Sequence, residues 1–427
     1  MSGKTYTRRS FFRLSAGVTA TLLISCRETD EPPPGDPGDT DPGLDSPANP
    51  VVVSKPPWVT LLGPGTARLR LESRNPEAVT VSISISGGAV TAHQPALSEA
   101  DLTFSWADFE GLDVLADEPG LHVLQDILLD GLPEDAVVSW RVDAGQGLIF
   151  EGFFRTSPNN EATFTLGWIA DTMHPWSAGP IARLLDQDVD LVLHGGDIQY
   201  QSNPVDTWNG YFATIAPVAA QASLQMLVGN HEYEDQNEIE VMYERLVAPQ
   251  GDDVSPRYFA FRYGSALFLC LDSETGDLSD PASAQRAWLT ESLSQDDGRL
   301  YTFVCMHRPM YTLSKHWPGD PTLRDALHAE FLAHNVDLVF AGHAHCYERF
   351  TVDGLPYVVD GGGGAITYDP DEGDPALESN RPGDIDLRDV AERSYGVTFV
   401  EFTPDGITVW RVNEDGDETD RFTVGQP

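Results

Sequence analysis

From residue 163 onward the chain alternates short apolar runs with segments of helical period, and that rhythm restricts this part to an α/β domain. Strands are expected at 164–170, 189–194, 224–228, 266–271, 301–306 and 336–341, with helices at 180–185, 205–222, 238–247, 281–293 and 321–333. The chemically useful residues fall just after these strands. Open α/β sheets bind ligands at the carboxyl ends of their strands, so clusters far apart in sequence can converge there. Residues 50–157 read differently. Runs such as 67–71, 79–85, 136–142 and 148–155, broken by Gly and Pro, have the pattern of a small antiparallel sandwich. Strand-like runs return at 397–402 and 407–412, where they are expected to complete a second sheet. The division is therefore an all-β sandwich over 50–158, followed over 159–427 by an α/β domain of two mixed sheets flanked by helices.

The first 26 residues read as an export signal and are set apart from the fold. Thr7-Arg8-Arg9-Ser10-Phe11-Phe12-Arg13 has a twin-arginine pattern, and the apolar run 14–25 is too short to span a bilayer. Leu23-Ile24-Ser25-Cys26 matches a bacterial lipobox. In that reading Cys26 carries lipid, residues 27–49 form a disordered Pro, Gly and Asp tether, and the protein is periplasmic or displayed at the cell surface. A plain cleaved signal is the alternative. Lys and Arg total 26 against 67 Asp and Glu, a net charge of −41 that repels nucleic acid and anionic membranes. Cys270 and Cys305 sit in apolar strand-like runs and are expected to be buried free thiols.

Five clusters follow the expected strands in order. They are Ile169-Ala170-Asp171-Thr172-Met173, Gly196-Asp197-Ile198-Gln199-Tyr200, Gly229-Asn230-His231-Glu232, Met306-His307-Arg308-Pro309 and Gly342-His343-Ala344-His345. A lone Asp ending a strand is more often a helix cap, and a lone Gly-Asn-His is more often a tight turn. Together they supply oxygen and imidazole donors in the mixture a pair of transition-metal ions takes.

In this order and context the clusters resemble the calcineurin-like metallophosphoesterases, and within them the large two-domain purple acid phosphatases. The resemblance covers residues 50–425 and includes Phe154-Arg155-Thr156-Ser157-Pro158 and the run from His343 to Arg349. It rests most on Tyr200, three residues after Asp197, where that family has a tyrosine that binds ferric iron. Many other members of the superfamily have a ligand His two residues after the first Asp. This chain has Met173 there, with His174 as the alternative ligand on the same loop. The resemblance implies a fibronectin-III-like sandwich and a binuclear centre of Fe(III) with divalent Fe, Zn or Mn. It places Asp171, Tyr200, His345 and a shared Asp197 on the first ion, and Asp197, Asn230, His307 and His343 on the second.

It further implies attack on phosphorus by a metal-bound hydroxide, with a small phosphate monoester as substrate. His231 and His316 match positions where the family places substrate-binding or proton-donating histidines. Arg308 and Arg349 are candidates for phosphate contact or for structural ion pairs. Two alternatives stay open at this point. One is a phosphodiesterase or other metallophosphoesterase of this fold using Mn or Zn. The other is a non-catalytic cell-surface binding protein.

Overall fold

The computed structural model describes residues 47, 49–102, 120–198, 200, 204–234, 238–247, 255–295, 297–314, 319–370 and 383–425. The signal, Cys26, almost all of the tether, and His316 lie outside them. Eight strands come first: β1 (Val53–Gly63), β2 (Thr66–Ser73), β3 (Thr80–Ile85), β4 (Val90–His93), β5 (Ala96–Leu102), β6 (Gly120–Leu129), β7 (Val137–Asp143) and β8 (Ile149–Arg155). They pair antiparallel as two sheets, β1-β2-β6-β5 and β4-β3-β7-β8. Strand β7 shows why: Val138, Trp140 and Val142 are buried while Val137, Ser139 and Arg141 face out, the period of two that a half-buried strand requires.

The α/β part begins with β9 (Phe164–Ile169), α1 (Ala178–Asp186), β10 (Leu191–His194), α2 (Pro204–Ala219), β11 (Ser223–Met226) and the single turn α3 (His231–Glu234). A π-helical segment, Glu238–Val247, follows. Next come β12 (Phe259–Tyr263), β13 (Ala266–Leu271), α4 (Ala284–Ser294), β14 (Tyr301–Met306), α5 (Pro321–Ala333) and β15 (Leu338–Ala341). The chain ends through β16 (Tyr347–Val352), β17 (Leu355–Asp360), β18 (Arg388–Glu392), β19 (Gly396–Thr403), β20 (Gly406–Asn413) and β21 (Glu418–Val424). Strands such as β14 are buried along their whole length, as expected for central parallel strands covered on both faces. Helix α5 starts where the Asp320 carboxylate accepts the Thr322 and Leu323 amides and Pro321 takes the first turn.

Two mixed sheets result, β11-β10-β9-β19-β20-β21 and β12-β13-β14-β15-β17-β16-β18. They face each other across one core, with Trp168 of the first stacked on Phe340 of the second at 4.7 Å. The tail corrects the sequence reading. β19 pairs with β9 and so extends the first sheet, because its buried Val400 and Phe402 complete the face that β9 presents. Sequence patterning also passed over β1, whose Pro56-Pro57 pair hides it, and β16 to β18, which follow the last metal cluster without a helical spacer.

The sandwich strands lie against the α/β sheets within one compact unit, Leu44–Pro427. Trp58 of β1 packs on Phe212 of α2 at 4.3 Å, and Gln225 of β11 donates to the Leu61 carbonyl at 2.7 Å. Behind this contact a fully buried Glu72 takes Lys55, the imidazole of His122 and the guanidinium of Arg245, from the π-helical segment, as partners. Cys270, Cys305 and Cys346 are buried free thiols.

Candidate metal centre

Register brings the five clusters level. His194 pairs with Ile169 on one side and Met226 on the other, so β9, β10 and β11 end together and release Asp171, Asp197 and Asn230 side by side. Met306 pairs with Ala341, which sets His307 opposite the turn carrying His343 and His345. Three of these residues have left-handed backbones: Asp171 at φ 60°, Asp197 at φ 52° and His343 at φ 67°. Such conformations cost non-glycine residues about 1–2 kcal/mol each and concentrate at functional sites.

The Tyr200 hydroxyl lies 2.7 Å from Asp171 Oδ1, Asp197 Oδ2 and His345 Nε2. His345 Nδ1 faces the Ile366 carbonyl at 2.8 Å and must donate to it, which leaves Nε2 with a lone pair. Three acceptors therefore converge on a hydroxyl that has one proton. On the far side of Asp197, His307 Nδ1 donates to the Gly195 carbonyl at 2.9 Å. Its Nε2 then sits 3.2 Å from each of Asp197 Oδ2, Asn230 Oδ1 and His343 Nδ1. Asp197, His307 and His343 are all buried and close enough to hold one ion.

The electrostatics follow from this crowding. Burial alone would depress His307, yet the Asp197 carboxylate beside it outweighs that and lifts its pKa to about 10. A proton on His307 thus does what a cation would do. Burial also pushes Asp197 upward, but His307 and then His231 hold its carboxyl well below the usual range. Burial foremost, then Asp171 and Asp197, keeps the Tyr200 phenol well above its ordinary value. The donor set fits a pair of cations: two groups of converging lone pairs share one carboxylate, each histidine has its outer nitrogen fixed by a carbonyl or a neighbour, and little bulk separates them. A Cβ on Gly229 would stand 2.3 Å from Asp197 Oδ1, so only glycine fits there.

All seven expected ligands and His231 are brought together. The His231 amide donates to Asp197 Oδ1 at 2.9 Å, and its ring lies 4.1 Å from that of Tyr200. His174 is elsewhere, packed against Gly210 of α2 with its Nδ1 2.8 Å from the Thr214 hydroxyl of the same helix. Arg349 is also remote, tied to Asp420 and Asp389. Arg308 stays near, 3.3 Å from His343 Nε2 and paired with Glu274. His194 packs behind the site, bonded to Thr172, and burial lowers its pKa to about 3.

Sequence reasoning gave no role to Glu232, and the structure gives it one. Its buried carboxylate accepts the amides of Gly229, Asp197 and Ile198 at 2.7–2.9 Å, clamping the second cluster to the third. The available signal was an acidic residue inside a tight turn between apolar strands.

Residues 164–347 match the family model described as calcineurin-like phosphoesterase. Purple acid phosphatase 22 of Arabidopsis thaliana is 27% identical over 185 residues, which are 41% of this chain and 42% of that one. The phosphoenolpyruvate phosphatase of Allium cepa is 27% identical over 254 residues, 55% of this chain and 52% of that one. The chain thus spans about half the length of these curated relatives. The purple acid phosphatase PPD1 of yellow lupin, Lupinus luteus, superposes with a TM-score of 0.70 at 18% identity, over 86% of this chain and 73% of that one, and so shares the fold. Residues 164–347 are therefore similar to the calcineurin-like phosphoesterases, and the relatives of the chain include purple acid phosphatases.

Proposed function

We propose that the chain is an exported phosphatase that hydrolyses phosphate monoesters at a binuclear centre of ferric iron with divalent iron, zinc or manganese. The observation that supports this most is the pair of lone-pair clusters sharing Asp197. In this reading Asp171, Tyr200, His345 and Asp197 hold one ion, and Asp197, Asn230, His307 and His343 the other. Bound there, two cations acidify water into a nucleophile at mild pH and neutralise phosphoryl oxygens.

The chain's own residues do the rest. The Asn230 amide adds an oxygen donor without adding charge, which keeps the anionic substrate acceptable. His231, with its side chain 26% exposed and Nε2 3.9 Å from Asp197 Oδ2, is reached from solvent and holds a proton for the departing ester oxygen. His316 is the second candidate for that role. Arg308 offers its guanidinium to a phosphoryl oxygen at the edge of the second cluster. Glu232 keeps the two loops in register. Export rests on the twin-arginine and lipobox patterns of residues 1–26, and attachment to a membrane on Cys26.

The test is reconstitution with iron and zinc, followed by visible spectroscopy and turnover of an aryl phosphate. A tyrosinate-to-iron band that disappears in Tyr200→Phe is the expected result. Full activity with no visible band removes the ferric assignment. No turnover with iron, zinc or manganese, at acidic or neutral pH, removes the phosphatase reading.

A further inference from the structure

Two loops meet over the Asp171 and His345 side of the centre. Residues 172–177 leave β9, where the Met173 amide donates to Ser177 Oγ and the Ser177 carbonyl accepts the Ile181 amide of α1. Residues 361–370 leave β17. Gly364 lies so near Ser177 that a Cβ there would stand 2.3 Å from its Oγ, and the Ala365 amide donates to the Asp171 carbonyl at 2.9 Å. Within two residues of this contact stand Trp176, 52% exposed, and Ile366, 70% exposed. Ile366 is fixed by its own carbonyl, the acceptor for His345, and two residues on, the ring of Tyr368 stacks on that of His345 at 4.3 Å and 14°.

This arrangement is out of keeping with the rest of the chain. In a protein of net charge −41, large apolar side chains left in water beside an ion site need a reason. Most of the other strongly exposed ones among the described residues, such as Val90, Leu97, Leu128 and Ile149, lie on the sandwich strands. The two loops touch Asp171 and His345 directly, so the organic part of an ester whose phosphoryl group is held at the centre has these side chains within reach. The rim offers that part an indole, a sec-butyl group and a phenol. The nearby cation Arg308 is already paired with Glu274, and Asp369 follows Tyr368.

We infer that Trp176, Ile366 and Tyr368 form a specificity rim, which selects monoesters of neutral aromatic or apolar alcohols over those of polar or polyanionic alcohols. This rests on the phosphatase reading above. Aromatic and apolar contacts of this kind are worth roughly tenfold in recognition.

The experiment compares kcat/KM for benzyl phosphate and 2-hydroxyethyl phosphate, whose leaving alcohols differ little in acidity, on the metal-loaded full chain. Wild type is expected to favour the benzyl ester by about tenfold or more, through KM. In Trp176→Ala with Ile366→Ser the ratio falls toward one, while Leu128→Ser on β6 keeps the wild-type ratio. Both substituted positions are exposed, so unchanged melting certifies the fold. A wild type that cleaves both esters equally, or a rim variant that keeps the preference, overturns the rim and leaves the phosphatase reading standing. Failure to cleave either ester overturns both.

Discussion

Two clusters of buried ionisable groups, one in the sandwich and one at the strand ends, are built on opposite rules. Around Glu72 each carboxylate oxygen meets a cation or a donor: Lys55 and His122 on one, Arg245 on the other. Its charges close on themselves, and its place is between the sandwich and the π-helical segment. Around Asp197 acceptors crowd together: Asp171 and His345 converge with it on the one Tyr200 hydroxyl, and Asn230 and His343 converge with it on His307 Nε2. Burial is common to both. What separates a structural ion cluster from a ligand site is whether the buried donors and acceptors balance.

The sharpest way to test that contrast is to remove one acceptor from each cluster. Asp197→Ala is expected to lower kcat on an aryl phosphate on the order of a thousandfold or more, since both ions lose a donor. Metal-free, the same variant should lose less stability than Glu72→Gln loses, because His307 can shed its proton once the Asp197 carboxylate that raises its pKa is gone. A large loss of stability in the metal-free variant would place Asp197 in the same class as Glu72.

Glu72→Gln is expected to act in the reverse sense, lowering stability by about 3–5 kcal/mol by leaving Lys55 and Arg245 buried without a counter-charge. Denaturant melts give the number, and metal content per folded molecule should not change. Burial pushes the Glu72 carboxyl up, but Lys55 foremost holds it well below its ordinary 4.5. A depressed carboxylate stabilises fully above its unfolded pKa and loses that contribution as pH falls below it. Wild type should therefore lose stability more steeply than Glu72→Gln as the pH is taken below 4.5.

Chelation separates the clusters more gently. Stripping metal should lower the melting temperature of wild type, by the free energy of ions that bind only the folded chain: about 3–4 kcal/mol when free metal stands at a hundred to a thousand times its Kd. The difference should vanish in Asp197→Ala and persist in Leu128→Ser, and a scanning melt with and without chelator measures it.

The smallest expected effect lies outside both clusters. Asp337, before β15, is partly buried and accepts the Thr302 amide; burial foremost raises its pKa from 3.8 to about 6. A raised carboxyl disfavours the fold once ionised, so its cost appears as pH rises from 3.8 and is complete above about 6. Asp337→Asn should match wild type at pH 3.5 and exceed it by about 1 kcal/mol at pH 7, after allowance for partial exposure. Equal stability at both pH values would rule this out.

Most of the metal centre was legible because its ligands are local features. Asp171, Asp197, Asn230, His307, His343 and His345 each follow an apolar run short enough to be a strand, and sheets gather such positions at one edge. Tyr200 needed the resemblance, since a tyrosine three residues after an Asp has no chemical meaning alone. Glu232 was not legible: its role depends on three amides, two of which lie more than thirty residues away. Of the two roles left open for Arg349, the structure shows the ion pair. Its neighbours in sequence are at the site, but as a β16 residue it reaches Asp420.

By itself the sequence determined the alternation of strands and helices, the sandwich ahead of it, the order of the ligand clusters and the net charge, because these depend on local periodicity and residue type. Tertiary structure alone decided which nitrogen of His307 and His345 faces the centre, that β19 completes the first sheet, that Arg245 closes the Glu72 cluster, and that the loops carrying Trp176 and Ile366 meet where Gly364 packs on Ser177. Each of those is a contact between residues far apart in the chain, and no local pattern encodes a partner that folding has yet to deliver.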